Sequence, residues 1–298
     1  MIKKKRTPVA DDAAAYYNRG IAYYEKGDYD RAIADFTEAL RLDPELADAY
    51  INRGNAYGNK GDYACAVMDF SAAIRLDPKL AEAYYNRGVA YSGKRAYNRA
   101  VEDYAEAVRL DPNHVDAYYN RAIAYYNKED YDRAIADYTE AVRLNPNHVA
   151  AYCNRGNAYA RKEDYDRAIA DCNEALRLDP ELADAYNGRG YAYSGKGDYD
   201  RAIANYNEAL RLDPKFADAY INRGYAYADK EDYDRALADL NQAIRLSPND
   251  ANCYDSRGEI YYLKKDYDRA LADYEYALRL DPNFTNAQEM LAKLRQGR

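Results

Sequence analysis

Apolar and small residues return along this chain at steps of three and four. In the stretch Val115 to His148, Tyr118, Ala122 and Tyr125 draw one stripe of a helix. Lys128 and Glu129 then lead to Asp130, a residue suited to capping a helix. Ala134, Tyr138 and Ala141 make a second stripe, which Pro146 ends. The pattern predicts a hairpin of two helices. No segment alternates with period two, so β-structure is excluded, and the Ala, Leu, Arg and Glu content favours helix throughout. The fold class is all-α.

The hairpin is copied along the chain. Apart from Pro8, every proline falls on one lattice: Pro44, Pro78, Pro112, Pro146, Pro180, Pro214, Pro248 and Pro282, each 34 residues from the next. Counting from Ala13 gives eight units, at 13–46, 47–80, 81–114, 115–148, 149–182, 183–216, 217–250 and 251–284. A fixed period of this length predicts one stacked array without a linker, in which each unit packs only on its neighbours. Residues 1–12 are read as a basic, disordered tail. Residues 285–298 are read as a helix capping the array, because Ala287, Met290, Leu291 and Leu294 form one stripe while Gln288, Glu289, Lys293 and Arg295 keep the rest wet.

Composition narrows the function. With 43 basic and 51 acidic side chains the formal net charge is −8, which argues against nucleic acid, since phosphate binding needs a basic patch. No window approaches 18 consecutive apolar residues, so no membrane span is expected. The run Lys3 to Arg6 lacks an apolar stretch behind it and is no complete secretory signal. The expected compartment is the cytoplasm, although an exported protein would look the same. Cys65, Cys153, Cys172 and Cys253 match no zinc spacing and are read as free thiols. The only histidines, His114 and His148, are read as exposed turn residues. No metal, cofactor or catalytic centre is expected. One anomaly stands out: 37 Tyr against four Phe and no Trp.

Tyr84, Gly88, Tyr91, Ala100, Tyr104, Ala107 and Pro112 resemble the signature of the tetratricopeptide repeat, and the likeness covers all eight units. It implies a right-handed α-solenoid of eight helix-turn-helix repeats with a C-terminal capping helix, acting as a binding scaffold and not as an enzyme. Tyr stands where the family commonly has Trp. Unit five has Cys172, and unit seven Leu240, in place of a ring in the second helix.

An arginine precedes the small residue at the eighth position of every unit, from Arg19 to Arg257. Sixteen residues further on stands an acid, Asp35, Asp69, Asp103, Asp137, Asp171, Asp239 or Asp273, with Asn205 as the exception. A pair within each hairpin is expected, because a charge taken from water needs a partner. The competing reading is a row of arginines gripping phosphate or carboxylate.

The resemblance implies that the second, fifth, sixth, ninth and twelfth residues of each unit line a concave groove. At the sixth stand Asn18, Asn52, Asn86, Asn120, Asn154 and Asn222, interrupted by Gly188 and Ser256. An amide offers both a donor and an acceptor, as peptide backbone does. The row resembles the asparagine ladder in the repeats of O-linked N-acetylglucosamine transferase and kinesin light chain, where it holds peptide main chain; copying of one ancestral hairpin would also produce it. Helices 8–10 Å apart and about 3.3 Å per extended residue give roughly 10 to 12 ligand residues from Asn18 to Asn154. Asp48, Glu82, Asp116, Asp184, Asp218, Asp255 and Glu259, with no Lys or Arg at the second, fifth and ninth positions, predict an acidic groove. Tyr17, Ile51, Tyr85, Tyr119, Ile221 and Tyr225 are expected to offer side-chain pockets. The carboxylate clamp that binds chaperone tails is disfavoured, because its basic residues are missing. The sequence therefore points to a non-enzymatic scaffold holding an extended, basic or neutral segment of another protein. The alternative is an assembly module that self-associates through its edges or ends without a groove peptide.

Overall fold

The computed structural model describes residues 8–296, and every regular element among them is an α-helix. Sixteen helices form eight hairpins: α1 (Pro8–Glu25) with α2 (Tyr29–Leu42), α3 (Ala47–Asn59) with α4 (Tyr63–Leu76), α5 (Ala81–Gly93) with α6 (Tyr97–Leu110), α7 (Val115–Asn127) with α8 (Tyr131–Leu144), α9 (Val149–Arg161) with α10 (Tyr165–Leu178), α11 (Ala183–Gly195) with α12 (Tyr199–Leu212), α13 (Ala217–Asp229) with α14 (Tyr233–Leu246), and α15 (Ala251–Leu263) with α16 (Tyr267–Leu280). A last helix, α17 (Thr285–Gln296), packs on α16. The hairpins fall into two compact units, residues 1–146 and 147–298, each a helical-repeat solenoid. Of the expected disordered tail, residues 1–7 lie outside the described residues. Residues 8–12 belong instead to α1, which Pro8 opens: proline is compatible with a first helical turn, where its missing N–H has no helical partner to lose.

The turn chemistry explains where the helices begin and end. Asp28, Asp62, Asp130, Asp164, Asp198, Asp232 and Asp266 cap the second helices by accepting the backbone N–H three residues on, and Ala96 leaves α6 without such a cap. The histidines differ from their expected role. His114 and His148 are half-buried N-caps whose Nδ1 accepts from Ala117 and Ala151 at 3.3 Å. Each first helix is closed by a left-handed residue. It is Gly at 27, 61 and 197, but Arg95, Glu129, Glu163, Glu231 and Lys265 hold φ of 56° to 62°. That conformation costs an L residue about 1–2 kcal/mol. Glu129→Gly is therefore expected to raise stability by about 1 kcal/mol, less the entropy of a freer unfolded chain. Thermal denaturation checks this, and a lowered midpoint would mean that the Glu129 side chain holds the turn.

Packing within a hairpin rests on a ring against a glycine. A Cβ added at Gly20, Gly54 or Gly88 would lie 2.7–2.8 Å from Phe36, Phe70 or Tyr104, so these rings would have to shift to admit one; repeat four does accommodate a Cβ, with Ala122 and Tyr138 both buried. Phe36, Phe70 and Tyr104 are at most 2% exposed. Where the second helix carries Cys172 or Leu240, a Cβ at Gly156 or Gly224 would lie 3.3 Å from that side chain, an easier fit. Much of the tyrosine excess is explained by a second use. Tyr23, Tyr125, Tyr159, Tyr193, Tyr227 and Tyr261 lie under the guanidinium of the second helix, 4.5–4.7 Å from it.

The arginine row is structural. Seven Arg–Asp pairs join the two helices of a hairpin through two hydrogen bonds each, at 2.6–2.8 Å. In repeat six Arg189 bonds Asn205 at 2.7 Å instead. The guanidinium also reaches the hairpin before it. Within the first unit Arg53 donates to Thr37 and Arg87 to Ser71. Within the second, Arg189, Arg223 and Arg257 donate to Asn173, Asn207 and Asn241. A second tie runs from the first helix of one hairpin to the second helix of the one before: Lys60 to Asp30, Lys196 to Asp166, Lys230 to Asp200 and Lys264 to Asp234. Such exposed pairs contribute about 0–1 kcal/mol each. They fix orientation more than stability.

Candidate groove on the first helices

First helices touch the first helices of neighbouring hairpins, α1 with α3, α3 with α5 and α5 with α7 in the first unit, and α9 with α11, α11 with α13 and α13 with α15 in the second. Each unit thus has a wall of first helices, and the side chains of the sixth position lie along it. Asn18 is exposed. Asn52, Asn86, Asn120, Asn154 and Asn222 are half-buried.

Three of these amides bond to the repeat before. Asn52 donates to the Tyr17 hydroxyl and Asn120 to the Tyr85 hydroxyl, both at 2.9 Å, and Asn222 donates to Asn187 at 3.1 Å. The sixth residue of one repeat therefore bonds the fifth residue of the repeat before. One amide hydrogen is used in this way, and the carbonyl oxygen keeps its acceptor chemistry. Sequence reasoning missed this second role, although the spacing of 35 residues between a Tyr and an Asn was there to be read. In repeat six Gly188 replaces the asparagine, and the space that its Cβ would enter holds Asn157, with Oδ1 2.9 Å away.

The residues expected to form pockets divide into two sets. Tyr17, Tyr85, Tyr119 and Tyr225 are half-buried. The Tyr17 ring leans on Phe36 at 5.9 Å, Tyr85 lies 6.0 Å from Tyr104 and 4.6 Å from His114, and Tyr119 lies 5.9 Å from Tyr138. Ile51 and Ile221, by contrast, are only 5% exposed. They belong to the core, Ile51 with Phe70 and Ala83, and Ile221 with Leu240 and Ile260. An unbranched ring with a polar tip can reach the rim from this position, whereas a short aliphatic side chain stays below it.

Of the acids, Asp48, Glu82 and Asp116 in the first unit and Asp184 and Asp218 in the second lie at least partly open to solvent. Their charge is felt nearby. The Tyr17 hydroxyl titrates above its ordinary value through burial first, then through Asp48 and Glu82, although its bond from Asn52 opposes this. Burial and Asp116 raise Tyr85 likewise. Asp255 departs from the expected groove set, being 4% exposed. Its Oδ2 accepts from Asn286 of α17 at 2.8 Å, and its Oδ1 has no hydrogen-bond partner. Glu259 is half-buried and accepts from the Tyr225 hydroxyl at 2.9 Å.

Other chemistry is sparse on these helices. All four cysteines are free, and burial pushes the Cys153 and Cys172 thiols up to about 12, so neither is a nucleophile at neutral pH. Among the described residues no three of His, Cys, Asp and Glu are grouped to hold a metal, and no helix is long and apolar enough to cross a membrane.

Known proteins share this fold. Tetratricopeptide repeat family models match residues 119–183, 187–251, 81–114 and 251–284, and a TPR repeat model matches 22–61 and 59–94. No curated protein matches the chain. Among solved structures, a tetratricopeptide repeat protein from Parabacteroides merdae ATCC 43184 is 25% identical with a TM-score of 0.73, over 83% of this chain and 98% of that one. YrrB, described as a TPR protein with an unusual peptide-binding site, is 27% identical with a TM-score of 0.56, over 62% of this chain and 95% of its own. A chain of the Cut9–Hcn1 hetero-tetramer of APC/C is 24% identical with a TM-score of 0.66. It is matched over 89% of this chain and 52% of that longer one, and at that identity it shows the fold alone. The 34-residue hairpins, the glycine-to-ring packing and the matches from residue 22 to residue 284 agree: this chain belongs to the tetratricopeptide repeat family, whose repeats are in general protein–protein interaction modules.

Proposed function

We propose that the first-helix wall binds an extended, basic or neutral segment of another protein, with no catalytic step. The observation that carries this reading is the pairing, on the same helices, of solvent-facing acids with half-buried amides: Asp48 with Asn52, Glu82 with Asn86, and Asp116 with Asn120. The carboxylates attract a basic segment, and the amides supply a donor and an acceptor for its backbone. Asn154, Asp184, Asp218 and Asn222 offer the same chemistry in the second unit, and Tyr17, Tyr85, Tyr119 and Tyr225 present ring edges between them. The helix α17 closes the end of the second unit by covering Ala277 with Ala287, Leu291 and Leu294. A second reading, assembly through an outer surface, is favoured by α4, where Met68 is 70% and Leu76 43% exposed.

Changing Asn52, Asn86 and Asn120 together to Ala is expected to keep the helicity, because Ala is the better helix former, and to weaken peptide binding at least tenfold. Fluorescence titration with a Lys-rich extended peptide checks this, and the parent's affinity should also fall as salt rises. Unchanged affinity with native circular dichroism would reject the groove. Sedimentation showing a stable oligomer that Met68→Glu breaks would favour assembly.

A further inference from the structure

We propose that a cleft between repeats two and three receives one aliphatic or aromatic side chain of the bound segment, flanked on that segment by Lys or Arg. This proposal rests on the groove reading above and names what the groove selects. The cleft has a volume of about 260 Å³; Gly54, Gly58, Tyr63, Phe70, Val89 and Ala90 form its apolar part, and Asn55, Asn59, Asn86 and Tyr24 of repeat one complete its wall. An apolar cavity of about 150 Å³ already holds a benzene ring, so there is room for a Leu or Phe side chain.

Gly58 helps to leave the cleft open. Gly58 occupies the twelfth position of its repeat, where the other seven carry Tyr24, Ser92, Tyr126, Ala160, Ser194, Ala228 and Tyr262. A Cβ built at Gly58 meets nothing within 4 Å. Gly58 stands in the last turn of α3, one residue before its end, and its carbonyl accepts from the Gly61 N–H at 2.9 Å, but its own φ is not left-handed, so the turn does not require glycine there. The rim is mixed: Val89 is 40% exposed, and Asn55, Asn59 and Asn86 stand beside it.

The mouth is suited to a peptide backbone. Asn86 lines the cleft, and the fifth residue of the repeat before it is Ile51, which has no hydroxyl to take the amide as Tyr17 and Tyr85 take those of Asn52 and Asn120. Charge completes the match. Of the three first helices that line the cleft, α1, α3 and α5, the last two carry solvent-facing Asp48 and Glu82, with no Lys or Arg at their second, fifth or ninth positions.

The test uses the full chain and three labelled peptides of about twelve residues, long enough to cross three neighbouring helices in extended form. One is a Gly, Ser and Lys peptide with a central Leu, the second has Ala for Leu, and the third keeps Leu but has Glu for Lys. The Leu peptide is expected to bind the parent at least tenfold more tightly than the Ala peptide, and the Glu peptide more weakly than both. Gly58→Phe fills the cleft and is expected to abolish the Leu preference while the melting temperature holds or rises. If the ring disturbs the fold, Val89→Asp at the exposed rim is the second variant, and it should reduce the preference too. Equal binding of the Leu and Ala peptides, or a Leu preference that survives in the folded variants, would overturn the cleft and leave the groove standing. Binding of none of the peptides would overturn both.

Discussion

Arg121→Leu is expected to destabilise the first unit by about 3–5 kcal/mol, the typical effect of leaving one member of a buried ion pair alone. Arg121 donates through Nε and Nη2 to both oxygens of Asp137, at 2.7 Å, and the two side chains are 16% and 9% exposed. The site isolates this pair well. The arginines of repeats two and three also reach Thr37 and Ser71, but the residue in register for Arg121 is Ala105, which has no hydroxyl. The repair is already written in repeat six, where Asn205 stands in for the acid and donates to the Arg201 carbonyl four residues back at 2.8 Å. Adding Asp137→Asn to Arg121→Leu should therefore recover part of the loss, because the amide can bond the Arg133 carbonyl and carries no charge. A double-mutant cycle by chemical denaturation checks this. Additive effects would mean that the pair contributes nothing jointly.

The second large effect depends on pH. Burial, opposed by the Asn286 bond and assisted by Glu259, pushes the Asp255 carboxyl up to about 6. An unfolded aspartate titrates near 3.9. A raised folded value means that this group's contribution is fully present below about pH 4 and is lost as pH rises through about 6. The gap between the folded and unfolded values corresponds to about 3 kcal/mol between the ends of that window. Asp255→Asn should therefore stabilise the last hairpin and α17 at pH 7.5 and make no difference at pH 4. Hydrogen exchange of the α15 to α17 amides at both pH values reads the result. Equal protection of parent and variant at pH 7.5 would show that the ionised carboxylate finds solvent or a partner there.

How far the sequence could be read depended on whether a property repeats. The hairpin, its Asp caps and the Arg–Asp pairs are set by one period, so eight copies made the signal plain. What varies from copy to copy was harder. Ile51, Tyr85 and Asp255 occupy one register position, yet one is core, one stands at a rim and one is a buried carboxylate. Their depth is set by side-chain length and by the ring or aliphatic group opposite, which a position rule cannot supply. The tie from Asn52 to Tyr17 joins two different repeats, and reading each repeat alone concealed it. The same holds for the histidine caps, since His is not a usual capping residue. The cleft at Gly58 owes part of its room to a missing side chain, and the absence shows only when neighbouring helices are in place.

The ties between hairpins also bear on how such a chain changes length. In the second unit the sixth and seventh hairpins each carry the Lys half of one junction and the Asp half of the next, Lys196 with Asp200 and Lys230 with Asp234. Loss of residues 217–250 would set Lys264 opposite Asp200 and Arg257 opposite Asn207, the kinds of partner they have now. Recombination by whole periods thus preserves the chemistry of the seam. A deletion of any other length would put Lys264 out of step with its aspartate and Arg257 out of step with its amide.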